Sequence, residues 1–191
     1  MTVAVRALAP ADVGLVALVD RSEHVDVEYE VVDGELTERP VTRADVLPWD
    51  PIGDGPHSVA AHVAFCRDCV ANGAQLVGAF DGDGDGDGDG AVLGLAVVDA
   101  DFEPGLAWLA FLHVSRPHRR RGVATSLWAA AEGAARTAGA TAMYVSATPT
   151  GSAVGFYLRQ GCRLADPVHP ALYADEPDDI HLVKQLAEPR G

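Results

Sequence analysis

The strongest constraint on this chain is a change of pattern at residue 114. Residues 106–114 form an almost unbroken apolar run that includes Trp108, Phe111, Leu112 and Val114. At that length, with aromatic and branched residues, the run predicts a buried central strand. A basic turn follows, with Arg119, Arg120, Arg121 and Gly122 in succession. Val123, Leu127, Trp128, Ala131, Ala134 and Ala138 then recur at helical spacing, and Gly139 supplies a stop. The first N–H groups of a helix have no partner inside it and carry partial positive charge. Three arginines beside such a terminus, with a glycine that lets the backbone come close, predict an anion site.

The rest of the chain builds outward from this segment. Residues 3–8 alternate as a first strand, and Pro10, Ala11 and Asp12 open a helix that continues through Val13, Val16, Ala17 and Asp20. Residues 27–38 alternate on both sides of Asp33 and Gly34, the strongest short-range hairpin signal. The neighbouring acidic residues Asp26, Glu28 and Glu30 suit either a cationic substrate or simple solvation. Pro48, Pro51, Gly53, Gly55 and Pro56 mark a loop, after which Ser58 caps a helix ended at Asn72 and Gly73. Residues 75–80 and 91–100 read as strands joined by an Asp-Gly repeat at 81–90. The repeat resembles the start of an EF-hand loop, but Val92 stands where Glu is needed and strands flank it. A flexible hairpin tip with weak cation binding at most is the better reading. A strand at 141–146, a short helix at 153–160 stopped by Gly161, and strands at 162–165 and 180–186 complete the order. The last two strands are joined by a Pro-rich acidic loop at 166–179.

Arg119, Gly122 and Ala124 stand in an Arg-x-x-Gly-x-Ala pattern between strand and helix. No Gly-Lys-Ser/Thr follows, so this is not the nucleotide P-loop, and it is not the Gly-x-Gly-x-x-Gly dinucleotide motif. Together with the order of elements over nearly the whole chain, it resembles the GCN5-related N-acetyltransferases. The resemblance implies one domain over residues 1–191, of α/β (α+β) class. It implies a central mixed, mostly antiparallel sheet of about seven strands flanked by four helices, with the 27–38 hairpin as an addition. It implies acetyl-CoA as co-substrate and no metal. The pyrophosphate is then expected on Arg119, Arg120, Arg121, Gly122, Val123, Ala124 and Thr125, and the pantetheine arm on the backbone of Leu112, His113 and Val114.

A second family motif, Tyr-x-x-x-Gly-Phe, is matched by Tyr157 and Gly161, with Cys162 in place of Phe. The resemblance makes Tyr157 a cofactor contact and the acid that protonates the departing thiolate. An Asn that often precedes this helix is absent, and Ser152 is left as the contact there. Where some members carry a carboxylate base on the central strand, this chain has Trp108. The base stays open between an ordered water, His113, Glu28 and His181. Glu28, Tyr29 and His181 are the candidate acceptor-binding residues. The expected activity is transfer of an acetyl group to a primary amine of a small molecule. A protein N-terminal or lysine acetyltransferase is one alternative, and a non-catalytic acyl-CoA-binding module is another.

Composition narrows the partners. A net charge of −14 argues against general nucleic-acid binding and fits a cationic substrate or good solubility. No apolar run reaches the ~18 residues of a membrane span, and the first residues lack a signal-peptide layout. A cytoplasmic protein without a membrane partner is expected, with homodimerisation left open. Cys66 and Cys69 have metal-type spacing without a second pair, and two cysteines on a helix face are the better reading. Lys184 is the only lysine and carries no functional weight at this level.

Overall fold

The apolar run becomes a strand in the middle of a seven-strand sheet. The computed structural model describes residues 2–82 and 90–186. In chain order these give β1 (Val3–Ala7), a 3-10 helix (Pro10–Leu18), β2 (Glu23–Val32), β3 (Glu35–Val46) and α1 (Val59–Ala71). Next come β4 (Gln75–Asp81), β5 (Val92–Glu103), β6 (Leu106–Val114), a short 3-10 turn (Arg116–His118) and α2 (Val123–Thr137). The chain closes with β7 (Ala142–Ala147), α3 (Gly151–Arg159), β8 (Arg163–Leu164), α4 (Pro170–Asp175) and β9 (Ile180–Gln185). The strand order is β1-β4-β5-β6-β7-β9-β8, and β2 pairs with β3 in a separate two-strand sheet. All pairs of the large sheet are antiparallel except β6 with β7, which α2 connects as a crossover. Mixed sheet and flanking helices are those expected.

Each face of the sheet has its own core. Leu127, Trp128 and Ala131 of α2 pack with Leu109, Met143, Val145 and the α3 residues Val154 and Tyr157. On the other face, Cys66 of α1 packs with Leu76, Leu95, Val97, Phe111 and Trp49. Cys66 is fully buried there, and burial pushes its thiol up to about 12, so it packs as a small hydrophobe. α1 begins on Ser58, whose side chain accepts the Ala61 N–H at 3.1 Å.

Four local features refine or correct the sequence expectations. The helix expected from Pro10 is of 3-10 type: Val13 and Val16, three residues apart, are both buried, as is Val19 just beyond its end. The hairpin is longer than 27–38, running from Glu23 to Val46 with a bulge near Val25, around a turn with Asp33 at φ 51° and Gly34 at φ 81°. The acidic loop contains α4, because Pro170 suits the first helical position, His169 accepts the Leu172 N–H and Leu172 is buried. The strand expected at 162–165 shrinks to the two residues of β8. Most of the Asp-Gly repeat, residues 83–89, lies outside the described residues.

Candidate active site

The site follows from how β6 and β7 part. They pair only at Leu106–Trp108 with Ala142–Tyr144, and beyond that point the ladder ends. Opposite β5, Ala110 is an extra residue that bulges β6 between Leu109 and Phe111. Bulges bend a strand and end pairing, and they recur beside active sites. The opening is a cleft of about 1200 Å³. That exceeds the ~300–1,000 Å³ of common single-ligand pockets and leaves room for two substrates. Six consecutive residues of β6, Leu109 to Val114, line it. Side chains of a strand alternate between faces, so a continuous lining means that the strand presents its edge. The N–H and C=O groups that β7 no longer pairs face the cleft.

At one end of the cleft is the basic turn. Arg120 adopts φ 63°, a left-handed conformation that costs a non-glycine residue on the order of 1 kcal/mol or more. Gly122 caps α2 at φ 81°, and a Cβ there would meet nothing within 4 Å. Glycine is therefore required for the backbone angle, not for space inside the protein. The first helical bond runs from Ser126 N–H to Gly122 O at 3.0 Å. The N–H groups of Val123, Ala124 and Thr125 precede it and project from the helix terminus into the cleft they line.

The Arg119 side chain does something different from anion binding. Its guanidinium donates to Val114 O at 3.0 Å, Glu23 at 2.8 Å and Arg21 O at 2.7 Å. It pins the root of the hairpin to the end of β6. Glu23 also accepts from Ser152 Oγ, at 3.0 and 2.7 Å to its two oxygens, so one carboxylate joins the basic turn to the start of α3. His118 lines the cleft beside this turn, and its buried Nδ1 has no hydrogen-bond partner. A buried orphan nitrogen at such a place suits a bound acceptor group.

The chemistry-bearing side chains lie between the ends. Tyr157 lines the cleft and stacks 5.5 Å from Trp128. Burial raises its phenol well above the usual value, with Cys162 and Asp179 adding to the effect, so it stays protonated as a proton donor must. His113 also lines the cleft, edge-on to Trp49 at 5.3 Å. Burial pushes it down to about 3, with Arg21, His62 and Arg119 adding to the effect. The shift favours the neutral ring and lowers its basicity.

The acceptor candidates are distributed unevenly. Tyr29 lines the cleft and donates to Glu38 at 2.5 Å. Glu28 turns to the other face of β2 and pairs with Arg39 at 2.7 Å. His181 is buried at 4% exposure, behind the cleft wall rather than on it. The sequence reading missed Asp175, Glu176 and Asp179, which line an acidic part of the cleft beside Ser146 and Tyr157, while Asp26 and Glu38 line it from the hairpin. Asp179 is raised to about 7 by burial and by its neighbours Glu176 and Asp178. Only the acidity of the 166–179 loop hinted at them. Among the described residues, no group of three or more His, Cys, Asp or Glu is placed to hold a metal ion. No helix among them is long and apolar enough to cross a membrane.

The profile of the acetyltransferase (GNAT) family matches residues 49–162, more than half of the chain. No curated protein sequence matches. Among solved structures, nourseothricin acetyltransferase superposes with a TM-score of 0.71 at 20% identity, covering 98% of this chain and 100% of that one. A protein of Bacillus anthracis str. Ames in complex with acetyl coenzyme A, provisionally assigned as a streptothricin acetyltransferase, gives 0.67 at 15% identity over 98% and 99%. PaiA N-acetyltransferase of Thermoplasma acidophilum in complex with coenzyme A gives 0.59 at 14% identity over 97% and 99%. At these identities the likeness is one of fold.

Proposed function

We propose, from the premise that this chain belongs to the acetyltransferase (GNAT) family, that it moves the acetyl group of acetyl-CoA to a primary amine of a small cationic molecule. The observation that carries the reading is the polarity of the cleft. The basic turn offers Arg120 and the first N–H groups of α2, the wall beside Ser146 and Tyr157 offers Asp175, Glu176 and Asp179, and the hairpin adds Asp26 and Glu38. An anionic pyrophosphate and an ammonium group would enter from opposite ends and meet between β6 and β7. The size of the acceptor follows from the hairpin. The Tyr29 N–H donates to Pro149 O at 2.8 Å, and Glu28 bridges to Thr150, so β2 closes over the junction of β7 and α3. A peptide acceptor needs an open groove there. Because the hairpin and the segment from Asp175 to Asp179 lie outside the matched residues yet complete the cleft, we read residues 1–191 as one catalytic domain.

In this reading the unpaired edge of β6 holds the pantetheine arm, and the turn at 119–125 holds the pyrophosphate. Ser152 stands beside the arm and keeps the α3 terminus tied to Glu23. A backbone N–H of β6 stabilises the oxyanion of the tetrahedral intermediate, a contribution of about 3 kcal/mol for one well-placed donor. Tyr157 gives its phenolic proton to the leaving thiolate. The test is a screen of primary amines in which release of the free thiol of coenzyme A is followed. Turnover is expected to favour diamines and larger polycations over neutral or acidic amines. Tight acetyl-CoA binding with no thiol release for any amine would leave a binding module instead.

A further inference from the structure

β6 offers Trp108, which carries no base, and His113, whose basicity burial lowers. The opposite wall of the cleft carries a pair that can serve. Ser146 on β7 lines the cleft, and His181 is its partner across the β7–β9 ladder. Ser146 Oγ lies 3.4 Å from His181 Nδ1. Nε2 of the same ring lies 2.9 Å from the main-chain oxygen of Glu176. A carbonyl oxygen only accepts, so Nε2 of the neutral ring carries the hydrogen and Nδ1 is left as an acceptor. The ring is held between Tyr144 at 5.8 Å and Tyr173 at 5.3 Å, which fixes its plane. The Ser146 contact is longer than the ~2.8 Å of a tight bond from a hydroxyl, and catalytic contacts commonly tighten once substrate is bound.

We propose that Ser146 and His181 form the proton relay of this site. The acceptor ammonium gives a proton to Ser146 Oγ as the Ser146 hydroxyl proton passes to His181 Nδ1. The inference rests on the acetyltransferase reading. The nitrogen lone pair released in this way attacks the thioester carbonyl carbon, forming the C–N bond, and the C–S bond then breaks. Two protons leave the nitrogen in all. The first passes through Ser146 to His181 and then to solvent. The second restores the phenol of Tyr157 after its own proton has gone to the thiolate. The groups facing the imidazole are Ser146 and Tyr144 of β7, Tyr173 of α4 and Glu176 after α4. Burial raises the Glu176 carboxyl, against its hydrogen bond with Ser146 and its attraction to His181, and in its ionised form it faces the imidazolium. Ser146 would touch the substrate, whereas His181 acts through it as a positioning and relay residue.

The first test is nitrogen NMR of the full chain with labelled histidine. His181 is expected as the Nε2–H tautomer, with its Nδ1 resonance moving toward that of an unbonded nitrogen in Ser146→Ala. An Nδ1–H tautomer overturns the relay. The second test is kinetic and uses an alkylamine from the screen beside its β,β,β-trifluorinated counterpart, whose nitrogen is largely unprotonated at neutral pH. Ser146→Ala is expected to lower kcat by ~10²–10³-fold with the alkylamine but by less than about threefold with the fluorinated one, at unchanged acetyl-CoA affinity. His181→Gln keeps a donor for the Glu176 carbonyl and is expected to change the profile of kcat against pH. Equal losses with both amines, an unchanged profile in His181→Gln, or a loss confined to Glu176→Gln overturn the relay alone. Failure of the unmutated protein with every amine overturns the acetyltransferase reading and the relay with it.

Discussion

The two ends of the cleft are made of different material. The basic end is mostly main chain: the unpaired edge of β6, two left-handed residues at Arg120 and Gly122, and the first N–H groups of α2. Even Arg119, the most conspicuous side chain there, is spent on Val114, Glu23 and Arg21. The acidic end is nearly all side chain. Its carboxylates come from the end of α4 and the segment after it. A main-chain site suits a ligand that every relative shares, because its geometry survives changes of sequence. A side-chain site can be redrawn for each acceptor without disturbing the fold. This division explains why the family is legible at one end and the acceptor class takes shape only at the other.

The comparison can be broken by experiment, most sharply between the ends, where Tyr157 is the proposed acid. Tyr157→Phe keeps the ring on Trp128 and is expected to lower kcat by ~10²–10⁴-fold, with acetyl-CoA affinity unchanged by calorimetric titration. Full turnover in this variant would remove Tyr157 from the mechanism. At the basic end, Gly122→Val forces a branched residue to φ 81°. A strain of about 1–3 kcal/mol should weaken acetyl-CoA binding roughly five- to hundredfold, while the acceptor KM holds. Arg120→Gly at the same end removes a charge but keeps the left-handed backbone, and a change of less than about threefold in acetyl-CoA affinity is expected. A larger loss in Arg120→Gly than in Gly122→Val would show that side chains, not main chain, build this end.

The acidic end should respond more gently and with the opposite selectivity. Asp179 is neutral below about 7 and negative above it. The KM of a cationic acceptor is therefore expected to fall as the pH rises through that value. Asp179→Asn should flatten this dependence and raise the KM about three- to tenfold, without moving acetyl-CoA affinity. An unchanged KM profile would place the acceptor elsewhere.

The smallest kinetic effect is expected from the core. Glu132 of α2 receives Trp128 Nε1 at 2.9 Å, Arg136 at 3.1 Å and the ammonium of Lys184. Burial raises its carboxyl, but the bonds from Lys184, Arg136 and Trp128 outweigh it and hold the pKa below its usual value. A lowered acid pKa adds stability above the unfolded value and loses it as the pH falls through the folded one. Glu132→Gln should therefore lower Tm at neutral pH by an amount that shrinks toward acid, while both KM values stay within about twofold of the unmutated protein. An equal loss of Tm at acid pH would mean that packing, not charge, holds this cluster.

Legibility in the sequence tracked the distance over which information is local. The helix stops at Gly139 and Gly161, the Ser58 cap and the Asp33–Gly34 turn depend on a few neighbouring residues, and each stands where the pattern put it. The helix at Pro10 was legible but its 3-10 type was not, because Val13 and Val16 fit either period until the packing face is known. α4 was hidden because prolines read as loop when their position within a helix is unknown.

By itself the sequence determined the order of elements, the buried central strand and the turn after it. Period, capping and the glycine at a left-handed angle are properties of short segments, and no partner from elsewhere is needed to specify them. Tertiary structure decided what the turn's arginine holds, which faces of the hairpin meet the cleft, and which acids gather at its far end. It also decided that Lys184, the single lysine, meets Glu132 fifty-two positions away, and that Ser146 meets His181 thirty-five positions away. Such pairs form where strands and helices are brought together by the burial of apolar surface, which orients polar groups that carry no signature of one another along the chain.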